Sequence, residues 1–426
     1  MALSQAKCSF LQSPSRSKYE ERLFLIAFSC YVFATWFSST GYQSFLGLDY
    51  NWFRRILYGI SLLCLAGKYV LQGNSLKEHL LVATVGTAFL ISAFVSGSHL
   101  LIWCYAFVAC ARHTSIKPIS FCIFLVLIIV GAITFTGFFL GAIPSYDLAS
   151  TATRGTRYSL GFSHPNTLAF YLLTFQLAWI SMRREFLGLR DLTFLIVFAL
   201  SAHFLTFSRT ADGAFTLLIV CVIALLIRTY HSTSKNHGRD SIPQPLLIAI
   251  FAAIFAIVAF SIFSMLFYDG SNPVWLKLDS ISSGRLHLAH QYFNESGITA
   301  FGQSFEDSAV QNTDIHSDDI TFLVDNLYCN VLLRYGLVSW ILSFSGVIVA
   351  LNHLKRNGQY AWLLGISMFL LVGLFEALFF KPSFNYFVLG LHMSLYKDDI
   401  SNSAWDNSSL SNVPLYMKLC TPSTNH

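Results

Sequence analysis

The feature that most constrains this chain is its run of long apolar segments separated by short polar breaks. A helix that crosses a bilayer needs about 20 mostly apolar residues. Segments of that kind recur at 22–38, 56–71, 80–95, 100–111, 119–143, 167–182, 192–207, 214–227, 246–267, 327–351, 361–380 and 384–395, about twelve in all. Those at 100–111 and 384–395 are short for a full crossing. Only 12% of the 426 residues are charged and 54% are hydrophobic. A soluble domain carries about 25% charged residues, so this chain has too little polar surface to face water alone. The expected fold is all-α: a polytopic membrane protein with about 12 transmembrane helices and one long extracytoplasmic loop.

Charge and cysteine content exclude several classes. The net charge of +5 is spread along the chain without a basic block, which argues against nucleic-acid binding. The nine cysteines form no CxxC pair, so neither a disulfide framework nor a zinc site is expected. The N-terminal residues carry Lys7, Arg16 and Lys18 without an early apolar core and cleavage site, and 23–37 reads as a retained first span.

Lys and Arg fall unevenly. With the N-terminus inside, about 18 of them lie in inner segments and about 9 in outer ones, the direction of the positive-inside rule. Both termini are then cytoplasmic. Residues 1–21 form an inner segment, 22–396 the membrane domain, and 397–426 an inner tail rich in Ser and Asn, expected to be disordered. The long outer loop is 268–325. Within it, Arg285 to Ser296 reads as a short amphipathic helix with Ser283 as cap and Ala289, Tyr292 and Phe293 on one face. Further on the loop turns acidic, with Asp314, Asp318 and Asp319. That run lacks the glycine and ligand spacing of a calcium loop, and His287 and His290 lack zinc spacing, so no metal site and no cofactor is expected.

The outer arginines run against the charge rule and so attract interest. Arg154 and Arg157 precede Tyr158, His164, Pro165 and Asn166 in a polar stretch between two apolar spans. Guanidinium groups at a membrane boundary suit a lipid-linked phosphate, since Arg offers a planar donor fork to phosphate oxygens. They equally suit lipid headgroups. Pro165 is a good first helical residue, so His164 is either a helix-entry polar group or a ligand contact. Arg209, between two apolar spans, is either a snorkelling interfacial residue or faces a cavity. Asp325 sits where the long loop re-enters the membrane, followed by Asn326, Tyr328 and Arg334; it is either a helix N-cap or a carboxylate at the mouth of a cavity.

These motifs, in this order, resemble those of the O-antigen polymerase and ligase superfamily, most closely a Wzy-type polysaccharide polymerase. The matching residues are Arg157 to Asn166 with their Gly161-Phe162-Ser-His164-Pro165-Asn166 core, Ser208-Arg209-Thr210, Ser283-Gly284-Arg285, and Asp325-Asn326-Leu-Tyr328 with Gly336. Ligases of this group usually place His before the Asn at the loop's end; here Asp325 stands there, which points to a polymerase. One departure is Gly302-Gln303-Ser304, where a more glycine-rich pattern is usual.

The resemblance implies a reaction at the outer face of a bacterial cytoplasmic membrane. An undecaprenyl-pyrophosphate-linked glycan is transferred to the hydroxyl of another lipid-linked repeat unit, without metal. That chemistry needs the departing pyrophosphate stabilised and a proton removed from the attacking hydroxyl. Arg209 and Arg285 are expected to hold the pyrophosphate, and Asp325 or His164 to take the proton. Arg154, Arg157, Tyr158, Asn166, Asn326 and Tyr328 are expected to bind substrate. Implied partners are the lipid-linked oligosaccharide, membrane lipid and a chain-length regulator. The competing readings are an O-antigen ligase and a lipid-linked oligosaccharide flippase or transporter, the latter expected to spread charge along its helix interiors.

Overall fold

The computed structural model describes residues 14–42, 50–149, 155–183, 186–232, 244–282, 284–305 and 324–396. Their secondary structure is helical, and among them only two isolated β-bridges occur, Thr40 with Phe162 and Leu148 with Arg157. The helices are α1 Pro14–Phe37, α2 Tyr50–Leu71, α3 Leu76–Ser96, α4 Leu100–Cys110, α5 Ile116–Phe139, α6 Pro165–Arg183 and α7 Leu189–Thr206. They continue as α8 Arg209–Ser232, α9 Gln244–Phe267, α10 Pro273–Ser282, α11 Arg285–Ser296, α12 Leu327–Arg356 and α13 Tyr360–Val372, before a 3₁₀ helix at Tyr386–Ser394.

Six of the described helices are long and apolar enough to cross a membrane: Leu76–Ser96, Ile116–Phe139, Leu189–Thr206, Arg209–Ile227, Gln244–Phe267 and Leu327–Arg356. Their apolar side chains are largely turned outward; Phe255 is 75% exposed on α9. Such surface suits lipid and not water. The chain is therefore a helical membrane protein by length and composition. Three more expected spans, 22–38, 56–71 and 167–182, lie on α1, α2 and α6. Those at 100–111 and 361–380 correspond to the shorter helices α4 and α13. The segment 361–380 is not one helix: α13 stops at Val372, and the chain turns from Gly373 before reaching Pro382.

The first and last parts of the membrane domain pack together. Trp36 is fully buried; its Nε1 donates to the Ser383 carbonyl at 2.9 Å and its ring lies 4.2 Å from that of Phe384. The Tyr386 hydroxyl donates to the Leu177 carbonyl on α6 at 2.9 Å. Near the other end of α2, Lys68 is buried and donates to Glu20 at 3.1 Å and to the Arg112 carbonyl at 2.9 Å.

Helix α12 is broken at Gly336, whose backbone is at φ 85°, ψ 170°. Residues 299–303 fill the break. The amides of Leu337 and Val338 donate to the carbonyls of Thr299 and Ala300 at 2.9 and 3.0 Å. The Gln303 amide donates to the Arg334 carbonyl at 3.1 Å. Backbone groups orphaned by the break are thus satisfied by a neighbouring segment, a requirement for irregular backbone inside a membrane protein.

Candidate functional site

Arg285, the first residue of α11, joins two distant stretches of the chain, those that carry Asp325 and Glu376. The helix forms as its amphipathic pattern predicts, with Ala289 and Tyr292 buried against Met265 of α9 and Leu332 of α12. The expected cap Ser283 lies outside the described residues. Asp279 of α10 does the capping: its Oδ1 accepts from the amides of Leu286 and His287, both at 3.0 Å.

Asp325 reaches the same point from the start of α12. The N-cap there is Asn326 and not Asp325: the Asn326 Oδ1 accepts from the amides of Tyr328 and Cys329 at 3.0 and 3.1 Å. The Asn326 Nδ2 donates to Ser261 of α9 at 2.9 Å. With capping done by its neighbour, Asp325 is left to face Arg285. Arg285 Nε donates to Asp325 Oδ2 at 3.2 Å, and Arg285 Nη2 lies 3.2 Å from the same oxygen.

The turn after α13 supplies the rest. The Leu327 amide donates to the Gly373 carbonyl at 2.7 Å, and the Tyr328 hydroxyl donates to the Leu370 carbonyl at 2.7 Å. These bonds dock the turn beside α12 and carry Glu376 to Arg285, whose Nη2 donates to Glu376 Oε1 at 3.3 Å. Thr210 of α8 also lies beside the Glu376 carboxylate and favours its charged form. The side chains of Arg285 and Glu376 are 14% and 11% exposed, and that of Asp325 is 47% exposed. Burial pushes the Glu376 carboxyl up to about 7, and the nearby Asp325 charge adds to this, against the opposing pull of Arg285 and Lys381. Burial also lowers the Lys381 ammonium, against the pull of Glu376 and Asp325.

The first motif forms a second cluster. Gly161 adopts φ 86°, where a Cβ would crowd Ile143, and Phe162 is fully buried against Tyr171 at 4.9 Å. Helix α6 begins at Pro165 as expected. His164 Nδ1 accepts from the Asn166 amide at 3.0 Å, so the ring caps the first turn of α6. Burial, then the Arg157 charge, holds this imidazole below its ordinary range. Arg157 is buried; its Nε donates to the Thr206 carbonyl at 2.7 Å and its Nη2 donates to Asn166 Oδ1. The Tyr158 amide donates to the Leu205 carbonyl at 2.7 Å, while its side chain is exposed.

The two clusters share one connection. Thr206, at the end of α7, holds Arg157, and Thr210, in the first turn of α8, lies beside Glu376. Arg209 lies between them, exposed, with no hydrogen-bond or ion-pair partner among the described residues.

Of the residues singled out in the sequence, the structure brings Arg285 and Asp325 together, and Arg157, His164 and Asn166 together. Asn326 and Tyr328 are buried and spend their polar groups on the docking of α12 and α13. Arg154 and the acidic residues Asp314, Asp318 and Asp319 lie outside the described residues. Among the described residues, no group of three or more His, Cys, Asp or Glu could hold a metal ion. Sequence reasoning missed Glu376 as a partner of Arg285, and Lys381 and Thr210 as neighbours of Glu376. The available signal was an ionisable residue inside the apolar run 361–380, since such residues in membrane segments face partners or cavities.

Together these groups can hold an anion and move a proton: a guanidinium shared by two carboxylates, an ammonium nearby, and an unpartnered arginine one residue from a carboxylate contact. No protein-family model matches this chain, and no curated protein or solved structure shows significant similarity to it.

Proposed function

We propose that this protein is a polysaccharide polymerase that transfers an undecaprenyl-pyrophosphate-linked glycan onto a lipid-linked repeat unit. The observation that carries the reading is Arg285 held between Asp325 and Glu376, next to the Ser208-Arg209-Thr210 segment. In the reaction the acceptor hydroxyl oxygen bonds to the anomeric carbon of the donor glycan. The carbon–oxygen bond to pyrophosphate breaks, and its electron pair leaves with the phosphate. Arg285 and Arg209 hold that anion through charge-assisted hydrogen bonds. The proton of the attacking hydroxyl passes to Asp325, the more exposed carboxylate of the pair and hence the more accessible to an acceptor. His164 supports the reading only indirectly, because its Nδ1 is engaged in capping α6.

The same proposal sets the protein in a bacterial cytoplasmic membrane, with α1, α2, α4, α6 and α13 counted as crossings beside the six long apolar helices; the expected twelfth span at 384–395 is only the short 3₁₀ helix Tyr386–Ser394. Both termini are cytoplasmic and 268–325 is outside, and a chain-length regulator is a further partner. Purified protein given a lipid-linked repeat unit and no ATP is expected to yield a ladder of longer products and free undecaprenyl pyrophosphate. Absence of both from folded protein overturns the proposal. A single transfer to a lipid A–core acceptor, with no ladder, would make it a ligase.

A further inference from the structure

The two carboxylates on Arg285 have different surroundings. Asp325 is half exposed and keeps access to water, whereas Glu376 is nearly covered. Both depend on Arg285 Nη2, at 3.2 and 3.3 Å. The other polar and charged groups that act on Glu376 are Thr210 from α8, Asp325 ahead of α12 and Lys381 from its own turn. Arg334 of α12 acts in turn on Lys381.

An anionic ligand needs the donor edge of Arg285 that these carboxylates now occupy. When the guanidinium turns to phosphate oxygens, Asp325 regains hydration, but Glu376 has little water to turn to. A buried carboxylate that loses its ion pair with Arg285, with only Lys381 left as a nearby cation and a second carboxylate and a bound anion beside it, is disfavoured unless it becomes neutral. We propose that ligand binding at Arg285 is proton-coupled: a pyrophosphate diester enters together with one proton, which Glu376 takes up. The neutral acid then stays in place as a hydrogen-bond donor within reach of Thr210, and Asp325 is left as the proton-accepting carboxylate. No bond to the ligand forms or breaks in this step; the proton comes from water or buffer.

The inference rests on the proposed function only for the class of ligand. Its consequence is a defined pH dependence. The Glu376 carboxyl sits at about 7 in the free protein and rises on binding, so affinity is highest at low pH and weakens as pH rises above that value. One coupled proton corresponds to roughly tenfold weaker binding per pH unit.

The test uses the purified full chain and a short-chain prenyl pyrophosphoryl sugar, a diester whose own charge is constant around neutral pH. Calorimetry at about pH 8 in buffers of different ionisation enthalpy counts the protons taken up. Uptake of about one proton by the wild type, and of none by Glu376→Gln with pH-independent affinity, is expected. Asp325→Asn should retain the uptake. Binding that is lost in Arg285→Ala but brings no proton in the wild type would overturn the coupling and leave the proposed function standing. Uptake that survives Glu376→Gln and disappears in Asp325→Asn overturns the assignment to Glu376. Folded wild type that does not bind the probe overturns both this inference and the anion site on which the proposed function stands. The wild-type proton count decides whether binding is proton-coupled even if a variant fails to fold.

Discussion

Gly302 and Gly336 lie backbone against backbone. A Cβ on Gly336 would collide with the Gly302 nitrogen and the Ala300 carbonyl, and one on Gly302 would collide with the Arg334 carbonyl. Both residues have positive φ, 96° and 85°. Only glycine accepts this backbone region and this approach together. The contact splices residues 299–303 into the gap in α12 and so fixes the span that carries Arg334 relative to the loop that carries Arg285. Gly336→Ala and Gly302→Ala are each expected to cost about 3 kcal/mol or more, from backbone overlap and a strained φ. Melting of the detergent-solubilised variants measures this; wild-type melting in both would show that the close approach is not required.

Arg285 is a structural as well as a chemical residue. Arg285→Ala leaves Glu376 buried without its ion-pair partner; breaking a buried pair costs up to about 3–5 kcal/mol, less where Lys381 or protonation of the carboxyl compensates. Adding Glu376→Gln to Arg285→Ala should recover much of that loss without restoring polymer synthesis. A double-mutant cycle on thermal stability provides the check, and strictly additive losses would mean that the two side chains are not energetically paired.

Arg209 should behave in the opposite way. It is exposed and has no hydrogen-bond or ion-pair partner among the described residues, so Arg209→Ala should change stability by no more than about 0.5 kcal/mol. If it grips pyrophosphate, the same change should slow polymerisation about tenfold to a hundredfold. Arg209→Lys should rescue poorly, since an ammonium does not reproduce the planar fork. Wild-type polymer yield from Arg209→Ala would remove Arg209 from the site.

His164 predicts an acid-side loss of stability. Its Nδ1 accepts a hydrogen bond, which only the neutral ring can do, and its folded pKa is held below the ordinary 6.5. The unfolded chain therefore binds the proton first as pH falls. The contribution is fully present above 6.5 and is lost as pH drops through the lower, folded value. His164→Asn keeps a cap acceptor without a titrating group, so its melting temperature should vary less between about pH 5 and 7. Parallel profiles for the two proteins would show that the cap does not titrate.

Orientation is open to a direct check. Single cysteines placed in α10 should react with an impermeant thiol reagent from outside, and cysteines after residue 397 only from inside, given the Lys and Arg asymmetry. Labelling of α10 from the cytoplasmic side alone would reverse the topology and the mechanism built on it.

Local features were legible in the sequence because local rules govern them. Pro165 starts α6 since a proline suits the first helical position, and Arg285–Ser296 forms since its apolar residues fall on one face. The apolar runs declared a helical membrane protein because lipid leaves the backbone no other partner than its own helix. Arg285 and Asp325 also stood out, one through the Ser283-Gly284-Arg285 motif and the other at the point where the long loop re-enters the membrane. What the sequence could not supply was the pairing. Asp325 is 40 residues from Arg285 and Glu376 is 91, and nothing in either spacing joins them. Glu376 lay hidden in a run that reads as one apolar span. Tertiary packing exposed it: α13 stops at Val372, the Leu327 amide binds the Gly373 carbonyl, and the turn swings Glu376 onto Arg285. Asn326 rather than Asp325 became the cap for the same reason, since Ser261 on α9 holds its amide in place and frees its neighbour for the arginine. Residue types and local periodicity set which helices form and which charges need partners; which partners they find depends on helices brought together from distant parts of the chain.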